Sequence, residues 1–109
     1  MRAAGDVLIE LILEHNEVIA IHDLNLGYLT TLHVLDLTSN RLESVSYGDF
    51  TMHYAKLQQL KLAKNKITTI DEGVFSHLSK LTQLDLSYNR LRVFFCEFEN
   101  LFLFPISRR

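Results

Sequence analysis

The sequence has no tryptophan, one proline, one cysteine and four glycines among its 109 residues. The lone thiol, Cys96, can close no internal disulfide, so the fold rests on no covalent framework. One free cysteine suits either a reducing compartment or a segment whose bridging partner lies outside this chain. The glycines at 5, 27, 48 and 73 stand singly, which excludes a glycine-rich phosphate loop. Neither sign of charge dominates: 11 Lys and Arg face 13 Asp and Glu, a formal net charge of -2. That removes the basic field that nucleic-acid binding calls for, and with it a polybasic membrane signal. No 18-residue stretch is free of charge, so no membrane span is expected. The opening MRAAGDVLIELILEHNEV is broken by Asp6, Glu10 and Glu14 and lacks a small-residue cleavage site, so it does not read as a secretory signal. None of the asparagines at 16, 25, 40, 65, 89 and 100 opens an Asn-x-Ser/Thr acceptor.

The usual catalytic constellations are missing as well. The five histidines, at 15, 22, 33, 53 and 77, are scattered, with no HExxH and no CxxC. Cys96 sits among aromatics with no adjacent His or Lys to lower its pKa. It reads as a part-buried thiol or as half of a bridge to a partner outside this chain. Glu10 and Glu14 are too far apart for a tuned carboxylate dyad. No catalytic residue, metal or cofactor is assigned, and the chain reads as non-enzymatic.

What the sequence does have is leucine, 20 of them, in a chain that is 48% hydrophobic. They follow a template, LxxLxLxxNxL. It falls on Leu32, Leu35, Leu37, Asn40 and Leu42; on Leu57, Leu60, Leu62, Asn65 and Ile67; and on Leu81, Leu84, Leu86, Asn89 and Leu91. An earlier copy occupies Leu8, Leu11, Leu13, Asn16 and Val18. The copies start near 8, 32, 57 and 81, steps of 24, 25 and 24 residues. The intervening halves repeat too. Five residues past each Asn stand Ile21, Val45, Ile70 and Phe94, and ten past stand Leu26, Phe50 and Phe75, with Phe98 one residue early in the last copy. Leu101 and Phe104 lead into a fifth copy, incomplete from about 104.

This pattern resembles the leucine-rich repeat family, and its period of about 24 residues, with an aromatic in each second half, resembles the "typical" class of extracellular and innate-immune animal receptors. The resemblance runs from residue 8 to about 104. It implies an α/β fold: a right-handed solenoid with a short parallel β-sheet on its concave face and irregular or short helical connections on the convex side. Residues 1–109 would form a single repeat segment, and the lack of a polar cap at either end implies a piece of a longer repeat protein.

Leu at template positions four and six has period two, so strands are expected near 9–13, 33–37, 58–62 and 82–86. Asn16, Asn40, Asn65 and Asn89 should stack as a ladder whose amides bond the backbone of their own and adjacent coils. Leu26, Phe50, Phe75 and Phe98 should form a spine on the opposite side. Positions three, five, seven and eight are then left to face solvent from the concave sheet. They are Glu10, Ile12, Glu14 and His15; Val34, Asp36, Thr38 and Ser39; Gln59, Lys61, Ala63 and Lys64; and Gln83, Asp85, Ser87 and Tyr88. In the fifth-position column Lys61 is placed to bridge Asp36 and Asp85. The eighth-position column, His15, Ser39, Lys64 and Tyr88, offers the better binding chemistry, and Tyr88 is its leading anchor.

All of these residues except Ala63 form the candidate binding surface for a protein or glycan ligand. Four strands ~4.8 Å apart with ~16 Å of visible length offer roughly 300 Å², below the ~800 Å² per partner of a stable interface. The uncapped ends could self-associate. By resemblance the protein is an extracellular or secreted recognition module, although no signal peptide is present. The alternatives are a cytoplasmic leucine-rich repeat adaptor and a structural spacer within a longer array.

Overall fold

A computed structural model describes residues 9–24, 30–50, 54–71, 73–76 and 78–91, together with the backbone of 106–108. Each template copy contributes one short strand: β1 (Glu10–Ile12), β2 (Val34–Asp36), β4 (Gln59–Lys61) and β6 (Gln83–Leu86). A further strand, β7 (Ile106–Arg108), follows β6. Together they make a five-stranded parallel sheet in the order β1-β2-β4-β6-β7. The register repeats the sequence template, with Leu11 opposite Leu35, Leu35 opposite Leu60, and Leu60 opposite Leu84. On β7 it is Ile106, two residues beyond Phe104, that lies opposite Leu84.

A parallel neighbour can be reached only by a crossover, and here each crossover is the second half of a repeat. These halves are short and irregular. They hold 3-10 turns at Ile21–Leu24 and Tyr47–Asp49, and two two-residue strands, β3 (Ser44–Val45) and β5 (Thr69–Ile70), which pair in parallel as a second sheet. The result is a right-handed solenoid of stacked coils with the larger sheet on its concave side.

Between the two sides lies one continuous apolar core. Leu35, Leu37, Leu42, Leu57, Leu60, Leu62, Ile67 and Leu86 are fully buried, as are Ile21, Val45 and Ile70 from the connecting halves. Each such side chain contributes about 1.5–3 kcal/mol relative to exposure. Coil 1 sits at the margin of the described residues: Leu11, Leu13 and Val18 are only partly buried, having among those residues a neighbouring coil on one side. Phe50 and Phe75 are buried with ring centroids 6.1 Å apart, and Tyr54 meets the Phe50 ring edge-on at 5.3 Å. These three rings form the described part of the spine. Leu26 and Phe98 lie outside the described residues, as do Leu8, Cys96, Leu101 and Phe104.

The asparagines form a ladder with a direction. Asn65 donates through Nδ2 to the carbonyls of Leu62 and Ala63 in its own coil and of Leu37 in the coil before, and its Oδ1 accepts the N–H of Leu42. Asn40 does the same toward Leu13 and Val18, and Asn89 toward Leu62 and Ile67. Asn16 is exposed and bonds within its own coil, to Leu13 and Glu14.

Candidate interaction surface

The strand register sets the concave columns. Glu10, Val34, Gln59 and Gln83 stand side by side, and so do Ile12, Asp36, Lys61 and Asp85. Seven of the expected surface residues, Glu10, Ile12, Glu14, His15, Lys64, Gln83 and Tyr88, are exposed. Val34, Thr38, Ser39, Gln59, Lys61 and Asp85 are half-buried.

Two candidate site residues depart from the expectation of pointing to solvent. Asp36 and Ser87 are buried, at 8% and 7% exposure, and so is Ala63, which shares the seventh-position column with Ser87. The cause is the turn that ends each strand. Asp36 Oδ1 folds back to accept the N–H of Thr38 at 2.9 Å. Asp85 Oδ1 accepts both the N–H of Ser87 at 3.0 Å and its hydroxyl at 2.6 Å. These carboxylates satisfy local backbone, as Asp does in Asx turns, and they are not offered to Lys61. Lys61 lies between them in register, yet it enters none of the ion pairs among the described residues, which involve His15, His22 and Arg41. The expected bridge is not formed.

The eighth-position column has a property that spacing alone did not disclose. His15, Ser39, Lys64 and Tyr88 all have positive φ, between 57° and 61°. Their N–H groups continue the ladder: His15 donates to Thr38, Ser39 to Ala63, and Lys64 to Ser87. Left-handed backbone costs a side chain roughly 1–2 kcal/mol relative to Gly, and none of the four positions is Gly. Lys64 Nζ lies 5.8 Å from the centre of the Tyr88 ring, a cation–π contact at the surface. His15 pairs with Glu14 at 3.4 Å.

Two columns further on, the residue after each ladder Asn is Glu17, Arg41, Lys66 or Arg90, all exposed. Its constant offset from the Asn is the signal by which the sequence alone marks this column. Its backbone is held in register, with Arg41 donating to Val18, Lys66 to Leu42 and Arg90 to Ile67. Arg41 pairs with Glu17 at 3.1 Å.

The convex side holds a second feature that was missed. Asp49 is buried and accepts the N–H of Ser46 at 2.7 Å, while Nδ1 of His22, from the preceding coil, lies 3.1 Å from its Oδ1. Burial, and then the Asp49 carboxylate, push the Tyr54 phenol above its ordinary 10.0. The Ser46-x-x-Asp49 spacing was the available signal, since a residue three past a Ser can return to its backbone N–H. Among the described residues no cluster of three or more His, Cys, Asp or Glu could hold a metal ion. No helix among them is long and apolar enough to cross a membrane.

Two family profiles, both described as leucine rich repeat, match residues 51–91 and 28–45. The chain belongs to the leucine-rich repeat family. Among curated leucine-rich repeat relatives, human leucine-rich repeats and immunoglobulin-like domains protein 1 is 36% identical over 90 residues, covering 82% of this chain and 8% of that protein. Chicken keratocan is 47% identical over 66 residues, 61% of this chain and 18% of its own length. The SDS22 regulatory subunit of protein phosphatase 1 from Saccharomyces cerevisiae is 38% identical over 80 residues, 73% of this chain and 23% of that one. Among solved structures, the TLR13–ssRNA13 complex superposes with a TM-score of 0.77 at 31% identity, over 94% of this chain and 14% of that one. The chain thus spans under a quarter of the length of each of these leucine-rich repeat proteins.

Proposed function

We propose that the chain is a non-catalytic recognition module of a leucine-rich repeat receptor or secreted recognition protein, which presents its concave sheet to a protein or glycan ligand. The observation that carries this reading is the periodic outward display of unlike side chains on one rigid sheet. Glu10, Ile12 and Gln83 are exposed on its strands and His15, Lys64 and Tyr88 on the turns that end them, over a core that occupies the inward positions. Rigid elements hold such contacts at little entropic cost. An innate-immune setting is supported by the typical-class repeat length and by the likeness to TLR13.

The test is photo-crosslinking from the full-length protein in the cells that make it. A photoreactive residue at Gln59, Lys61 or Gln83 is expected to capture one discrete protein partner or glycoconjugate, and one at Lys56, Ser76 or Lys80 in the connecting halves is not. Capture from the connecting positions alone, or from none, overturns the reading; the second result favours a spacer.

A second reading, a cytoplasmic adaptor, is favoured by the match to the phosphatase regulatory subunit and by the single cysteine. Extending the open reading frame separates the two. A leader and cysteine-rich caps support the secreted form, and cytoplasmic domains support the adaptor.

A further inference from the structure

Charge is unevenly shared along the rim where the concave strands end. Coil 1 carries Glu10, Glu14 and Glu17, all exposed, whereas coils 2 to 4 carry Arg41, Lys66 and Arg90 in the column after the ladder Asn and Lys64 in the column before it. The backbone bonds from Arg41, Lys66 and Arg90 to the coil before each fix these residues one coil apart, ~4.8 Å per step. Four cations therefore lie within a strip of roughly 10 Å. Of the four, Arg41 alone forms an ion pair among the described residues. Lys64 lies over Tyr88, so an aromatic face borders the strip. The chain also keeps Lys and Tyr at positive φ, where Gly would be relaxed.

We propose that this rim strip docks a short acidic segment of a protein partner, about four carboxylates long. The proposal deepens the recognition reading above and rests on it. Four consecutive residues of an extended segment span ~10 Å, the length of the strip, and the flexible stems of Lys and Arg reach carboxylates on its alternate faces. The length follows from what flanks the strip. A uniformly charged polymer, whether nucleic acid or sulfated glycan, would run from the cations onto Glu17, Glu14 and Glu10, and would approach a chain of net charge -2. A short acidic run need not reach those three glutamates, and Glu17 already occupies Arg41 as such a carboxylate would.

Fluorescence anisotropy on the full chain tests this with three probes: a labelled Gly/Ser peptide bearing four consecutive glutamates, heparin, and a single-stranded RNA of about 20 nucleotides. The peptide is expected to bind, and to weaken several-fold as NaCl rises from about 50 to about 300 mM. In the double variant Lys66→Glu/Arg90→Glu its affinity should fall about tenfold or more, and in Glu17→Gln, which releases Arg41, it should rise. Thermal melts of the same variants, all at exposed positions, report whether the fold is kept. The proposal is overturned if the peptide does not bind, if charge reversal leaves its affinity unchanged with the fold intact, or if heparin or RNA binds through the strip and the peptide does not. Concave-face crosslinks that persist after such a result reject the strip alone. Peptide binding without those crosslinks rejects the concave reading alone.

Discussion

The Oδ1 of Asn65 accepts the backbone N–H of Leu42 at 3.0 Å, across the boundary between two coils and in a buried setting. The same amide donates to Leu37, Leu62 and Ala63. Replacing it with leucine, which keeps the branching at Cγ but no polar atom, leaves these backbone groups without their partner. At about 1–3 kcal/mol for each buried group left unsatisfied, Asn65→Leu should lower the melting temperature by roughly 10 °C or unfold the chain. Asn16→Leu should cost far less, because Asn16 is exposed and bonds only Leu13 and Glu14. Calorimetry on the pair checks the ladder, and equal losses would count against it.

The spine makes a packing prediction. Phe75→Ala should destabilise by about 3–5 kcal/mol, the range for emptying a buried aromatic site, measured by urea unfolding. With Phe50→Ala as partner, a double-mutant cycle should return a coupling of about 0.5–1.5 kcal/mol for rings 6.1 Å apart. A coupling near zero would mean that the coils do not share this contact in solution.

Tyr54 makes a pH prediction. Its phenol titrates above 10.0 in the folded chain because burial, and then Asp49, disfavour the phenolate. The unfolded chain therefore loses this proton first as pH rises. The stability held by the neutral phenol is intact below pH 10.0 and is lost as pH climbs from there through the folded value. Tyr54→Phe should flatten the stability profile above that point while leaving it unchanged at neutral pH. A slope that survives the substitution would assign the effect elsewhere.

Lys64 separates stability from recognition. Lys64→Gly relieves a side chain at φ 57° and removes one cation of the rim strip. The relief of ~1–2 kcal/mol exceeds or balances the ~0.5–1 kcal/mol by which Gly loosens the unfolded chain. The variant should melt at the same temperature or higher, yet bind the tetraglutamate peptide more weakly. A clear drop in melting temperature would show that the contact with Tyr88 outweighs the backbone strain.

Much of the fold was legible because period and chemistry agree. Leu35, Leu37, Leu60, Leu62, Leu84 and Leu86 alternate as buried strand residues should, and all are in the core. Asn40, Asn65 and Asn89 make the two-coil bonds that their amide chemistry allows. The surface was read less well, since alternation predicts a face only while the strand lasts. β2 ends at Asp36, so Asp36 and the residues after it follow the turn instead. Ser87 is buried for the same reason, and Lys61 finds its neighbouring carboxylates already bonded to local N–H groups. The positive φ of Lys64 and Tyr88 had no signal in residue type, because such turns favour Gly and Asn. Asp49 drew no notice, since its partner His22 is 27 residues away and not at the repeat spacing.

The ladder reaches in one direction. In each case the asparagine of the later coil completes the backbone of the earlier one, so Val18 waits on Asn40, Leu42 on Asn65 and Ile67 on Asn89. A coil emerging from the ribosome is thus finished only by its successor, and synthesis always runs one coil ahead of closure. Under mechanical load the same order reverses. Tension applied at the C-terminal side would peel away each coil together with the amide that had sealed the one behind it, whereas tension at the N-terminal side would leave the remaining seals in place.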